Sequence, residues 1–134
     1  MIIVDTNVWS VQFSRHPDQK VVDWLIAHEA DLWLSAIVIA EIRYGAELPN
    51  AKPIRRRLVR WLDILETTYA DRIMPFDGDA AHIFGALRAH RPGNSALLDL
   101  QIAAQALARD CAVATRNVND FAWTGVKLIN PWGD

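Results

Sequence analysis

The chain has 134 residues, 51% of them hydrophobic and 22% charged, which suits one core of ordinary size and excludes wholesale disorder. Fourteen Lys and Arg against sixteen Asp and Glu give a net charge of −2, so the molecule as a whole is no polycation built for nucleic acid. The single cysteine, Cys111, excludes an internal disulfide framework and a cysteine-built zinc site, and no apolar run reaches the roughly 18 residues of a membrane span, so a cytoplasmic protein is expected.

Short β-like and longer helix-like segments alternate along the chain. Ile2-Ile3-Val4 is a β-branched run ending at Asp5, and after Pro17 the residues Val21, Val22, Leu25 and Ile26 predict a helical face. Leu32-Trp33-Leu34 is the second strand, followed by Ser35 as N-cap of a helix over 36–48 that Pro49 stops. A further helix starts near Pro53, with Leu58, Trp61, Leu62 and Leu65 on one stripe and Arg55, Arg56 and Arg60 largely off it.

Ile73 to Phe76 reads as extended, and Asp77 caps a helix carrying Ile83, Phe84 and Leu87. Arg91-Pro92-Gly93-Asn94-Ser95 breaks the chain before a helix over 96–109, a strand over 112–115 and a last strand over 126–129. This alternation predicts a single α/β domain with a central parallel sheet flanked by helices.

In such sheets functional groups gather beyond the carboxyl ends of the strands. Asp5-Thr6-Asn7 follows the first strand, and Thr115-Arg116-Asn117 with Asp120 follows the fourth. Either segment alone is equally well a cap or an Asx turn. Glu41 and Asp99 differ, because each interrupts an otherwise apolar helical stretch, and carboxylates are seldom buried without a partner. An ion pair with Arg43 or Arg116 is the structural alternative for both. Convergence of Asp5, Glu41, Asp99 and Asp120 or Asn117 would raise carboxyl pKa values unless a cation neutralised them, and oxygen donors favour Mg²⁺ or Mn²⁺ over Zn²⁺. His16, His28, His82 and His90 form no H-E-x-x-H pattern and read as incidental.

The residues Ile3 to Val8, Leu34-Ser35 with Ala40-Glu41 and Gly45, Leu98-Asp99 with Ile102 to Ala104, Thr115-Arg116-Asn117 with Asp120-Phe121, and Asn130-Pro131-Trp132 are spread from end to end. In that order the chain resembles the PIN-domain family, in particular its VapC-type and FitB-like toxin ribonucleases. The resemblance implies one PIN domain over residues 1–134, a three-layer α/β/α sandwich around a mostly parallel sheet of four or five strands. It implies Asp5 and Asp99 as direct ligands of Mg²⁺ (or Mn²⁺), Glu41 as a further or water-bridged one and Asp120 as the fourth acid. Thr6, Asn7, Ser35, Thr115 and Asn117 would support the site.

The implied activity is hydrolysis of RNA phosphodiester bonds by a metal-activated water, in tRNA or other structured RNA. Arg43, Arg55, Arg56, Arg60 and Arg116 are candidates to draw RNA to an acidic pocket. The resemblance adds a cognate antitoxin whose tail enters the acidic site, a homodimer, and a larger assembly with the antitoxin. Six tryptophans, among them Trp9, Trp24 and Trp61, suit core or interface. The alternatives are a non-catalytic PIN-like or receiver-like metal-binding regulatory module. A dinucleotide site is excluded, since no G-x-G-x-x-G follows the first strand.

Overall fold

Ile2, Ile3 and Val4 are all buried, as a strand covered on both faces requires. In the computed structural model, which describes residues 1–133, they form β1 (Ile2–Val4), the centre of a five-stranded sheet. β2 (Leu32–Ser35) and β4 (Ala112–Ala114) flank it, with Ile3 in register with Trp33 on one side and Val113 on the other. β3 (Ile73–Met74) and β5 (Lys127–Ile129) form the edges, the order is β3-β2-β1-β4-β5, and every pairing is parallel.

Helices make the crossovers. α1 (Thr6–Trp9) and α2 (Gln19–Ala27) join β1 to β2, and α3 (Ala36–Glu47) and α4 (Arg55–Thr68) join β2 to β3. α5 (Gly78–His90) and α6 (Leu97–Ala108) lead to β4, and α7 (Val118–Phe121) leads to β5. Parallel crossovers are right-handed. A chain that steps one way through β1, β2 and β3 and the other way through β4 and β5 therefore lays α1–α4 on one face and α5–α7 on the opposite face. The expected three-layer sandwich is present, with five strands, all parallel, among the described residues.

Local chemistry sets the element ends. Ser35 Oγ accepts from Ile37 N–H at 3.0 Å and Asp77 Oδ1 from Ala80 N–H at 3.0 Å, so both predicted N-caps form. The helix expected from Pro53 begins at Arg55 instead, because 49–54 is a 3₁₀ segment holding two prolines. The extended stretch predicted to Phe76 pairs only at Ile73 and Met74, since Pro75 has no N–H for the ladder. Ile26, expected on the buried face of α2, is 68% exposed, whereas Val21 and Leu25 are in the core.

Trp9 is fully buried and meets Tyr69 edge-on at 5.1 Å between ring centroids, so it belongs to the core and not to an interface. Trp24 and Trp61 are half-buried against the same core. Among the described residues no helix is long and apolar enough to cross a membrane.

The strand order also decides between two expectations. A receiver-like sheet runs 2-1-3-4-5, and the order found here excludes that alternative. The chain reverses its direction of travel between β1 and β4, and at such a reversal the connections on the two sides diverge and leave a crevice beyond the strand ends. Asp5 and Thr115, both buried, are the residues immediately after β1 and β4 at this reversal.

Candidate active site

The crevice is built on Asp5. Its backbone N–H continues the sheet by donating to Ala114 C=O at 2.9 Å, which fixes the side chain at the strand end. Oδ1 accepts from Thr6 N–H at 2.8 Å and so caps α1, while Oδ2 accepts from Thr115 Oγ at 2.8 Å and Asn7 Nδ2 at 3.3 Å. The cap accounts for one oxygen only. The other is held by β4's end and by α1, and Asp5 is just 4% exposed. Burial raises its carboxyl pKa and the nearby Glu41 charge adds to this, while the bonds from Thr115, Thr6 and Asn7 work against it.

Thr115 is the hub of this network. Besides donating to Asp5, its Oγ accepts from Asn117 N–H at 3.0 Å and from Asn7 Nδ2 at 3.3 Å. Asn7 Oδ1 in turn accepts from Arg116 N–H at 3.2 Å. Of the residues expected to support the site, Asn7 and Thr115 tie the ends of β1 and β4 together, the Asn117 N–H is held by Thr115, and Asp5 caps the Thr6 N–H. Ser35 lies elsewhere. Its Oγ donates to Gln105 Oε1 at 2.6 Å, and Gln105 Nε2 donates to Met74 C=O at 3.0 Å, a buried bridge from α6 to the β2–β3 edge.

Glu41, on α3, reaches the network through Thr6, whose Oγ donates to Glu41 Oε1 at 2.6 Å. Asp99 lies in the first turn of α6 and Asp120 in the first turn of α7. The Asp99 carboxyl is raised to about 7, first by burial and then by the charges of Asp5, Asp120 and Glu41. Four acids far apart in sequence thus share one electrostatic neighbourhood. Among the described residues no three Asp, Glu, His or Cys side chains stand close enough together to hold an ion as they are. The donors are hard oxygens only, and no neighbouring base neutralises Asp99, so the set fits Mg²⁺ or Mn²⁺ in chemistry.

The ion-pair alternative does not form among the described residues. Arg43 pairs with Glu47 at 3.4 Å on the exposed side of α3, and the Arg116 guanidinium lies over the Trp132 ring at 5.0 Å from its centroid. Arg116 is exposed beside Thr115, at the crevice. Arg55 donates to Ala46 C=O at 2.7 Å and Leu48 C=O at 3.1 Å, which ties α4 to the end of α3 and commits its guanidinium, whereas Arg56 and Arg60 are exposed.

Sequence reasoning passed over Gln105, although a single amide inside the apolar run from Ile102 to Ala108 was a visible signal. It also passed over a cleft of about 500 Å³ that opens beside Asp99 and Asp120 and is walled by Asn94, Ser95, Asn119 and Trp123. The loop between α5 and α6 meets the segment after α7 there, a juxtaposition with no local signature.

Residues 2–125 match the PIN domain family. The chain is 36% identical to VapC ribonuclease Y4jK of Sinorhizobium fredii over 140 residues, covering 98% of each chain. It is 37% identical to Toxin FitB of Neisseria gonorrhoeae over 139 residues, covering both completely. Among solved structures, FitAcB from Neisseria gonorrhoeae superposes with a TM-score of 0.85 at 36% identity, over 98% of this chain and 99% of that one. With its sheet order, its acids at the strand reversal and relatives that are VapC- and FitB-type toxins, the chain belongs to the PIN-domain family.

Proposed function

We propose that this protein is a Mg²⁺- or Mn²⁺-dependent endoribonuclease and the toxin of a toxin–antitoxin pair. The observation that carries the reading is the Asp99 carboxyl, lifted to about 7 by burial and by Asp5, Asp120 and Glu41, in a chain similar along its whole length to a VapC ribonuclease. Asp5 and Asp99 would hold the ion, with Glu41 and Asp120 as further or water-bridged partners. When bound, the cation supplies positive charge against the phosphate and acidifies water. Glu41 or Asp120 takes the proton of the attacking water, and Thr115 and Thr6 hold Asp5 and Glu41 in orientation. Arg116 and Arg43 offset the repulsion between RNA phosphates and the acids. A tRNA or another structured RNA is the proposed substrate.

A nuclease harmful to its own cell requires a partner that covers the acids. An antitoxin tail entering the crevice with a basic side chain meets both the charge and the burial of Asp99. The exposed Tyr44, Leu97 and Leu98, close to Glu41 and Asp99 in sequence, support a homodimer through that side of the molecule. The test is cleavage of tRNA, ribosomal RNA and single-stranded DNA by antitoxin-free protein, with Mg²⁺ or EDTA, beside Asp99→Asn. Specific RNA cuts lost in EDTA and in the variant are expected. Folded, Mg²⁺-binding protein that cleaves none of these overturns the reading and leaves a non-catalytic PIN module.

A further inference from the structure

The cleft beside the acids differs from them in chemistry. Its volume of about 500 Å³ lies within the roughly 300–1,000 Å³ of ligand pockets. Asp99 and Asp120 line it from α6 and α7, and the rest includes amides, a hydroxyl and an indole: Asn94, Asn119, Ser95 and Trp123. Asn94 and Asn119 are exposed. Each amide offers two donors and one acceptor oxygen, the combination that pairs with a base edge. Ser95 Oγ spends its proton on Pro92 C=O at 2.8 Å and keeps its lone pairs as acceptors.

Trp123 is the second observation. It is half-buried and lines the cleft, while its Nε1 is closed to solvent. That N–H is therefore no contact for a ligand, and what Trp123 offers the cleft is the apolar surface of its ring. Unpaired bases of RNA bring a flat apolar face, and protein aromatics commonly receive them by stacking. A base is also uncharged, so it enters beside Asp99 and Asp120 without the repulsion that a phosphate or a carboxylate meets.

We propose that the cleft between the 91–96 loop and α7 is a nucleobase pocket, in which Trp123 stacks on an unpaired base and Asn119, Asn94 and Ser95 read its edge, so that the adjoining phosphodiester falls at the acids. The inference rests on the ribonuclease reading and makes this pocket its specificity determinant. Asn119 and Trp123 select which RNA is cut, and the acids cut it.

Two measurements test it on the full chain. In the first, kcat/KM is compared across RNA oligonucleotides that differ in one unpaired base beside the cut, for wild type, Asn119→Ala and Trp123→Phe. The ratio between preferred and disfavoured bases is expected to collapse about tenfold in Asn119→Ala, the worth of one edge hydrogen bond, whatever the absolute rate. An unchanged ratio in both folded variants overturns the pocket and leaves the ribonuclease reading standing. In the second, the Trp123 indole N–H, assigned by its loss in Trp123→Phe, is followed by NMR while each of the four nucleoside monophosphates is added with Mg²⁺. A saturable shift at this indole that differs among the bases supports the pocket even if no RNA is cleaved. No shift with any of the four, or a shift only with an arginine-containing peptide, overturns it.

Discussion

Asp99 carries the clearest electrostatic signature in the molecule. Burial and the charges of Asp5, Asp120 and Glu41 push its carboxyl up to about 7 in the folded chain, from the ordinary 3.8. Because the folded value is the higher, the protonated form is bound more tightly by the native state. Its contribution to stability is complete below 3.8, declines as pH rises and is gone above about 7. Metal-free protein is thus expected to melt at a lower temperature at pH 8 than at pH 5, and Asp99→Asn to raise the pH 8 melting temperature by roughly 2–6 °C. The same substitution is expected to reduce metal-dependent cleavage at least about 100-fold. Calorimetry at the two pH values and an RNA cleavage assay check the two halves independently.

Thr115 differs, because it acts through Asp5. Thr115→Val keeps the shape of a buried residue but removes the donor to Asp5 Oδ2 and the acceptor for Asn117 N–H. Metal affinity is expected to fall about 10–100-fold, as for other partners of metal-ligating groups, with Thr115→Ser restoring most of it. Titration with Mn²⁺ followed by calorimetry reads the effect, and equal affinity in Thr115→Val removes Thr115 from the site. At this scale the acids were legible in sequence, since Glu41 and Asp99 stand out within apolar helices. The hub role of Thr115 was not, because Asp5 and Asn7 lie 110 and 108 residues away and meet it only across the fold.

Among the elements, α6 and α4 show how one side chain sets the pose of a helix. Gln105 ties α6 to Ser35 and to Met74 C=O, and Asp99 rides on the same helix. Gln105→Leu is expected to destabilise the protein by about 1–3 kcal/mol, since Ser35 Oγ and the Met74 carbonyl are left without this partner in the interior. Denaturant unfolding measures it, and a loss under about 0.5 kcal/mol would mean that water or a shifted side chain takes over both bonds. On α4, Arg55→Ala is expected to cost about 1 kcal/mol of stability by freeing the Ala46 and Leu48 carbonyls. Arg56→Ala with Arg60→Ala is expected to leave stability unchanged and to lower RNA affinity in a salt-dependent way. The α4 periodicity separated arginines from the apolar stripe, but it placed Arg55 with Arg56 and Arg60. Only the turn of 49–54 brings Arg55 against the end of α3.

At the scale of the molecule, the crevice exists because the strand order reverses between β1 and β4. Asp99 feels the charges of Asp5, Asp120 and Glu41 from three other segments while the net charge is only −2. A divalent cation bound among them is expected to raise the melting temperature more at pH 8 than at pH 5, because at pH 5 protons already occupy Asp99 and compete for it. Thermal shifts with Mg²⁺ at the two pH values measure this. Equal shifts would mean that the ion binds away from Asp99.

By itself the sequence determined the alternation of strands and helices, the caps at Ser35 and Asp77 and the acids that interrupt apolar helices. These are properties of neighbouring residues, set by backbone sterics, hydrogen-bonding side chains and hydrophobic period. Only the tertiary structure decided the strand order, the tie of Arg55, the bridge through Gln105 and the cleft at Trp123. Each of these depends on groups far apart along the chain meeting in space, through packing that no local pattern encodes.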